Sequence, residues 1–331
     1  MAETLDEFRY SGIDERRAIA VSEGIPDQSA ASQFTVEEPV EASAAPGVWT
    51  VRRILDWTIG HFKTHGCDSP RLDAEILLAH ARGCQRIQLY TDYNTPLTDT
   101  ERARMRELVV RRATLEPVAY LVGFREFFSL DFEVESGVLI PRPDTETLVV
   151  QLLELAKEYP QPRILELCTG TACIAVAAAV NCKAASVKTI EIDDKALSVA
   201  ARNIAKHKVE DRVELVQGDL FEPLATGEQF DIIASNPPYV TTSEIATLQP
   251  DVRLHEPHLA LDGGPDGLDL VRKIIAQAGQ YLVSGGGLLI EISSEQAEQV
   301  VELLAQQTDF QPAEIAHDLG GLSRVVWARK K

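Results

Sequence analysis

Arg163-Ile164-Leu165-Glu166-Leu167-Cys168-Thr169-Gly170-Thr171-Ala172-Cys173-Ile174-Ala175-Val176-Ala177-Ala178-Ala179 decides the fold. It opens with a short apolar run suited to a buried strand, passes through a turn of small residues, and ends in an unbroken apolar stretch suited to a helix. Strand, small turn and helix in that order make the nucleotide-binding unit of open α/β sheets, whose ligands lie beyond the carboxyl ends of the strands. A second strand, Val187-Lys188-Thr189-Ile190, ends on Glu191. That carboxylate follows Gly170 by about twenty residues, the interval at which an acidic side chain accepts from ribose hydroxyls. A third strand, from Arg212 to Val216, runs into Gln217-Gly218-Asp219-Leu220-Phe221, which places Asp219 to accept from an adenine amino group with Leu220 against the ring. Taken singly, Glu191 is equally an ordinary strand-end charge and Asp219 a helix cap or turn former. The ordered series is far more specific than either.

A fourth strand, Phe230-Asp231-Ile232-Ile233-Ala234-Ser235, delivers Asn236-Pro237-Pro238-Tyr239. Two successive prolines hold Asn236 extended and contribute no N–H donor, so the corner is stiff and rich in acceptors. An Asn side-chain oxygen beside a free backbone carbonyl accepts both hydrogens of one primary amide or exocyclic amine. The planar nitrogen's lone pair is then aimed at an electrophile, which suits methyl transfer to nitrogen. A bare Asn-Pro-Pro-Tyr is equally a proline-stiffened loop; the three strand ends before it favour the chemical reading.

These residues resemble the class I S-adenosylmethionine-dependent methyltransferases. Pro117-Val118-Ala119-Tyr120-Leu121-Val122-Gly123 with Arg125-Glu126-Phe127, then Val138-Leu139-Ile140-Pro141-Arg142-Pro143-Asp144-Thr145-Glu146, is similar to the signature ahead of the catalytic domain in release-factor glutamine methyltransferases, the PrmC/HemK family. Ser69 to Leu78 resembles that family's helical N-terminal domain, and Glu256-Pro257, Ala260-Leu261, Gly263-Gly264 and Asp266-Gly267-Leu268 resemble its loop after the fourth strand. The likeness runs from about Val48 to Arg329.

The resemblance implies a Rossmann-like α/β methyltransferase domain with a mixed seven-stranded sheet, preceded by a small helical domain and a β-hairpin linker. It implies S-adenosyl-L-methionine as cofactor, held by Glu166, Cys168, Thr169, Gly170, Thr171, Ala172, Glu191, Asp219, Leu220 and Asn236. It implies N5-methylation of the glutamine in the Gly-Gly-Gln loop of class I peptide chain release factors. Asn236 and the Pro237 carbonyl would hold the amide hydrogens, Pro238 would shape the corner and Tyr239 would wall the pocket. No metal and no dedicated base are implied. Cys168, Ala172 and Ser293 stand where the family usually has glycine, and the first two are expected to turn a Cβ toward the cofactor. Ribosomal-protein glutamine methylation, amino-methylation of adenine or cytosine in DNA, and a non-catalytic cofactor-binding module are the competing readings.

The rest of the 331 residues bounds these choices. A hydrophobic fraction of 45% and a charged fraction of 25% are ordinary for a chain that buries a core. No apolar run reaches bilayer length and no signal-peptide pattern opens the chain, so a cytoplasmic location is expected, with no membrane contact. Five cysteines without metal-ligand spacing fit a reducing compartment. A net charge of −19 disfavours a sequence-independent grip on nucleic acid and suits a protein partner. The chain divides into a disordered acidic tail at 1–47, a helical substrate-docking domain at 48–123, a hairpin linker at 124–140 and the methyltransferase domain at 141–331. A monomer is expected. Helices are expected at Val51 to Phe62, near Leu72 to Ala79 behind a Ser69 cap, and at Asp99 to Leu115, whose arginines 102, 104, 106, 111 and 112 would form a solvated face balanced by Glu101 and Glu107. A hairpin is expected within Glu126 to Leu139, and a long loop at Gln249 to Pro265 as a lid or substrate wall.

Overall fold

The computed structural model describes residues 48–331, so the expected acidic tail lies outside the described residues. Five helices come first: α1 (Val51–Thr64), α2 (Pro70–Arg82), α3 (Gln88–Thr91), α4 (Asp99–Ala113) and α5 (Val118–Val122). Helix α2 begins with Pro70 in its first turn, where a missing N–H costs nothing, and stops at Gly83 in the left-handed conformation. The Ser69 side chain makes no capping bond. Thr98 and Glu101 close a capping box on α4.

Helix α4 corrects one expectation. Arg112 is 5% exposed and its Nε donates to Asp73 Oδ2 at 2.8 Å, binding α4 to α2 inside the helical core. It belongs to the interior because Asp73 sits opposite it, a pairing that spacing along α4 alone does not reveal. Arg111 and Arg102 pair locally with Glu116 and Asp99.

Strands β1 (Phe124–Phe127) and β2 (Leu130–Glu133) form the antiparallel hairpin, shorter and earlier than the alternation predicts. Phe128 and Ser129 form its turn at φ of 51° and 59°, so the chain reverses without the glycine or asparagine that marks such turns. Next comes α6 (Glu146–Ala156), and then β3 (Arg163–Leu167), α7 (Cys173–Asn181), β4 (Ser186–Glu191), α8 (Asp194–Lys206), β5 (Val213–Gln217) and β6 (Phe230–Ser235). The chain closes through α9 (Pro250–His255), α10 (Asp269–Tyr281), β7 (Leu282–Glu291), α11 (Ala297–Ala305), β8 (Glu314–His317) and β9 (Ser323–Arg329). The region expected as one long loop therefore carries α9 and a 3₁₀ turn at His258–Ala260. Pro250 at the start of that helix pre-sets its φ.

The main sheet has seven strands in the order β5-β4-β3-β6-β7-β9-β8, parallel except for the β7/β9 and β8/β9 pairs. Alternate residues feed opposite layers, as the two-residue period of a strand requires. Ile164, Ile232, Ala234 and Leu289 pack against α6 and α7, whereas Leu165, Ile233, Leu288 and Ile290 pack against α10 and α11. Strand order reverses between β3 and β6. Such a switch point opens a crevice at the strands' carboxyl ends, and the turn after β3 and the corner after β6 face each other there.

Candidate active site

The crevice is a cleft with an empty volume of about 760 Å³, its open mouth included. Cys168 and Gly170 contribute from the turn after β3, Glu191 from the end of β4, Gly218, Asp219 and Leu220 from the segment after β5, and Asn236 and Pro238 from the corner. Val138 and Leu139 of the linker and Pro257, Leu259 and Ala260 of the loop after the corner complete its lining. A narrower recess beside it is lined by Arg142, Thr145, Thr169, Thr171 and Asn236.

Glu191 organises the turn. Its Oε2 accepts from the Gly170 N–H at 2.7 Å, and its Oε1 from Ile192 and Asp193 at 2.9 and 3.0 Å. Three bonds leave acceptor capacity on a carboxylate that lines the cleft. Asp193 caps α8 through Ala196 at 2.8 Å. Asn203, fully buried on α8, donates to the carbonyls of Thr171 at 3.0 Å and Glu133 at 3.1 Å and accepts from Glu133 N–H at 2.7 Å. It thereby ties the hairpin to the turn. Sequence reasoning passed it over because a lone Asn on an amphipathic helix carries no distinguishing pattern.

Not every residue named from the sequence reaches the cleft. Glu166 has no exposed surface; it accepts from Thr189 and, at 3.4 Å, from Thr169, and burial pushes its carboxyl up to about 8. It braces the floor beneath the turn. Ala172 is also fully buried and packs in the α6/α7 core, its Cβ among core residues and not along the cleft. Cys168 does line the cleft, with its thiol pushed up to about 12 by burial, which removes it as a nucleophile. Both Cys168 and Ala172 lie at φ 61°, the left-handed region that glycine favours. The backbone path of a glycine turn is thus kept by residues that bear a Cβ.

At the corner, Asn236 Nδ2 donates to Thr145 Oγ1 at 3.1 Å, which turns Oδ1 away from that hydroxyl. Pro237 and Tyr239 do not line the cleft. Tyr239 instead directs its hydroxyl to Glu291 Oε1 at 3.4 Å, while its carbonyl accepts from Gln296 Nε2 at 2.9 Å. Gly263 and Gly267 allow the following loop to lie on the corner. A Cβ on Gly263 would meet the Pro238 carbonyl at 2.6 Å, and one on Gly267 would meet the Tyr239 carbonyl. Glu256, 5% exposed, accepts from Ile140 N–H at 3.2 Å and pairs with Arg142, fastening that loop to the linker. Among the described residues no cluster of His, Cys, Asp or Glu is suited to a metal, and no helix is long and apolar enough to cross a membrane.

A mixed seven-stranded sheet with this cleft at its switch point defines a Rossmann-like methyltransferase. The family profile of the PrmC N-terminal domain matches residues 53–123, and that of the methyltransferase small domain residues 143–252. The release factor glutamine methyltransferase of Rhodopirellula baltica is 43% identical over 286 residues, spanning 85% of this chain and 97% of that protein. That of Geobacter sulfurreducens is 43% identical over 284 residues, spanning 86% and 98%. That of Koribacter versatilis is 38% identical over 281 residues, spanning 85% and 99%. The chain belongs to the release factor glutamine methyltransferase family.

Proposed function

We propose that the chain methylates the N5 nitrogen of the glutamine in the Gly-Gly-Gln motif of class I peptide chain release factors, with S-adenosyl-L-methionine as donor. Membership of the family supports the reaction. The observation that carries the reading onto these residues is the Asn236 side chain, whose NH₂ is occupied by Thr145 while the residue lines the cleft. The cleft suits the donor: Glu191 keeps acceptor capacity for ribose hydroxyls, Asp219 stands beyond it for an adenine amino group, and Leu220 offers an apolar face. The Gly170 backbone is already drawn against Glu191.

When bound, S-adenosyl-L-methionine supplies a sulfonium methyl that needs no further activation. What remains for the protein is to align a poor nucleophile, and positioning of that kind lowers barriers by several kcal/mol. Asn236 Oδ1, which lines the cleft, accepts one amide hydrogen of the substrate glutamine, and the Pro237 carbonyl, outside the cleft lining but next along the corner, takes the other as the family resemblance implies. They orient the nitrogen lone pair into the cleft and stabilise the positive charge that develops on nitrogen. The proton leaves after methyl transfer, so the site uses no dedicated base.

Incubation with labelled S-adenosyl-L-methionine and an intact release factor tests this. Mass spectrometry should place one methyl on the Gly-Gly-Gln glutamine. A methylated DNA base or ribosomal protein alongside an unmodified release factor would contradict it.

A further inference from the structure

The signature Pro141-Arg142-Pro143-Asp144-Thr145-Glu146 leaves Thr145 without a part in holding donor or substrate, and β7 ends on Glu291, which has no exposed surface. These two residues meet behind Asn236. Thr145, 2% exposed, accepts from Asn236 Nδ2 at 3.1 Å, and its hydroxyl lies beside the Glu291 carboxylate, near enough to oppose the upward push of burial on that carboxyl. Tyr239 approaches the same carboxylate at 3.4 Å, and Glu291 Oε2 has no hydrogen-bond partner.

We propose that Thr145 and Glu291 are positioning residues that hold the Asn236 amide in the one orientation able to receive the substrate nitrogen, and that the ionised Glu291 carboxylate sets this orientation. The proposal rests on the role given to Asn236 above. A threonine hydroxyl has a single hydrogen. With Glu291 ionised, that hydrogen is drawn to the carboxylate, and Thr145 meets Asn236 only as an acceptor. The Asn236 NH₂ must then face Thr145, and Oδ1 faces the cleft. With Glu291 protonated, the carboxyl can donate to Thr145, whose hydrogen is released toward Asn236. The amide then turns over and presents NH₂ to the substrate's own NH₂, two donors with nothing to accept.

The surroundings of Glu291 suit such a device. Burial raises its carboxyl to about 7, opposed by the Thr145 hydroxyl, the Arg324 guanidinium and the Tyr239 hydroxyl, with Asp144 adding a further upward push. Arg324 on β9 is shared with Asp144 and Asp318, each at 3.1 Å, and its buried Nε is unpartnered. Cys173 on α7 is a further titratable neighbour, its thiol raised by burial and further by Glu166 and Glu291. Because the active form is the carboxylate, kcat should rise with pH through about 7 and level off above it.

The test is a set of variants in the full chain, with melting temperature as folding control. Thr145→Val should lower kcat about 10- to 100-fold, the scale of a misaligned reacting group, while calorimetric affinity for S-adenosyl-L-methionine stays unchanged. Thr145→Ser, which restores the hydroxyl, should return kcat to within about threefold of the parent. Glu291→Gln should abolish the acidic limb of the kcat profile. Wild-type kcat in a folded Thr145→Val variant, or an acidic limb that persists in Glu291→Gln, would overturn the proposal while a crippled Asn236→Ala variant left the reading of the site intact. Full activity in Asn236→Ala would instead remove the reading on which it rests.

Discussion

In the proposed reaction, Asn236 is the residue on which the chemistry turns. Replacing it with alanine removes one of the two acceptors that orient the nucleophile, so kcat should fall by roughly 100- to 1,000-fold, the usual cost of losing one preorganised transition-state contact. Affinity for S-adenosyl-L-methionine, measured by calorimetry, should hardly change. A loss confined to that affinity would show that Asn236 serves the donor and not the amide. Ala172 poses a question of stability. Its left-handed backbone costs about 1 to 2 kcal/mol relative to glycine, while glycine loses roughly 0.5 to 1 kcal/mol through greater freedom in the unfolded chain. Ala172→Gly should therefore change stability by less than about 1.5 kcal/mol. Ala172→Val adds volume inside a fully buried site and a β-branch at positive φ, so a loss of more than about 2 kcal/mol is expected by denaturant titration.

At the scale of elements, Glu256 is the fastener between the linker and the loop over the corner. Glu256→Ala frees the Ile140 N–H and Arg142 together. The KM for the protein substrate should rise several-fold with kcat less affected, and a melting temperature equal to the parent's would show that the fastening has no hold on the fold. The strands and helices around the cleft were legible because each announces itself locally: an apolar run, a small turn, a carboxylate at nucleotide-binding distance. Glu191, Asp219 and Asn236 follow from that grammar, and all three line the cleft. Thr145, Glu291 and Asn203 were not legible, because their roles depend on partners brought in from other elements. Arg112 was misread for the same reason, since Asp73 lies 39 positions away. The Phe128-Ser129 turn hid because neither residue type advertises positive φ. The Ala172 Cβ, expected to face the cofactor, turns into the core instead, because which way a Cβ points at positive φ depends on the packing around the turn.

For the whole molecule, two buried glutamates impose a pH dependence on stability. Burial holds the carboxyl of Glu166 up to about 8 and that of Glu291 up to about 7, against an ordinary value of 4.5. Between those limits the folded chain keeps protons that the unfolded chain has released, so unfolding loses protons and stability falls as pH rises through that window. The contribution is fully present below about pH 4.5 and gone above about pH 8. Melting scans should show Glu166→Gln flattening this decline. An unaltered decline would mean that Glu166 is ionised throughout. The molecule's charge of −19 also bears on partner choice, since a duplex meets an unfavourable field.

The corner alone cannot choose between an amide and an exocyclic amine, because both present a planar NH₂. Choice falls to the surfaces around it, and we propose that the helical domain, whose residues 53–123 match the PrmC N-terminal profile, is a second place for a protein substrate to dock. Two contacts made by one partner act at high effective concentration. The most direct measurement is therefore a side-by-side comparison of methyl transfer to an intact class I release factor, to its isolated Gly-Gly-Gln peptide and to duplex DNA. The account predicts efficient modification of glutamine in the intact factor, much slower modification of the peptide and none of DNA. A methylated base beside an unmodified release factor would contradict it.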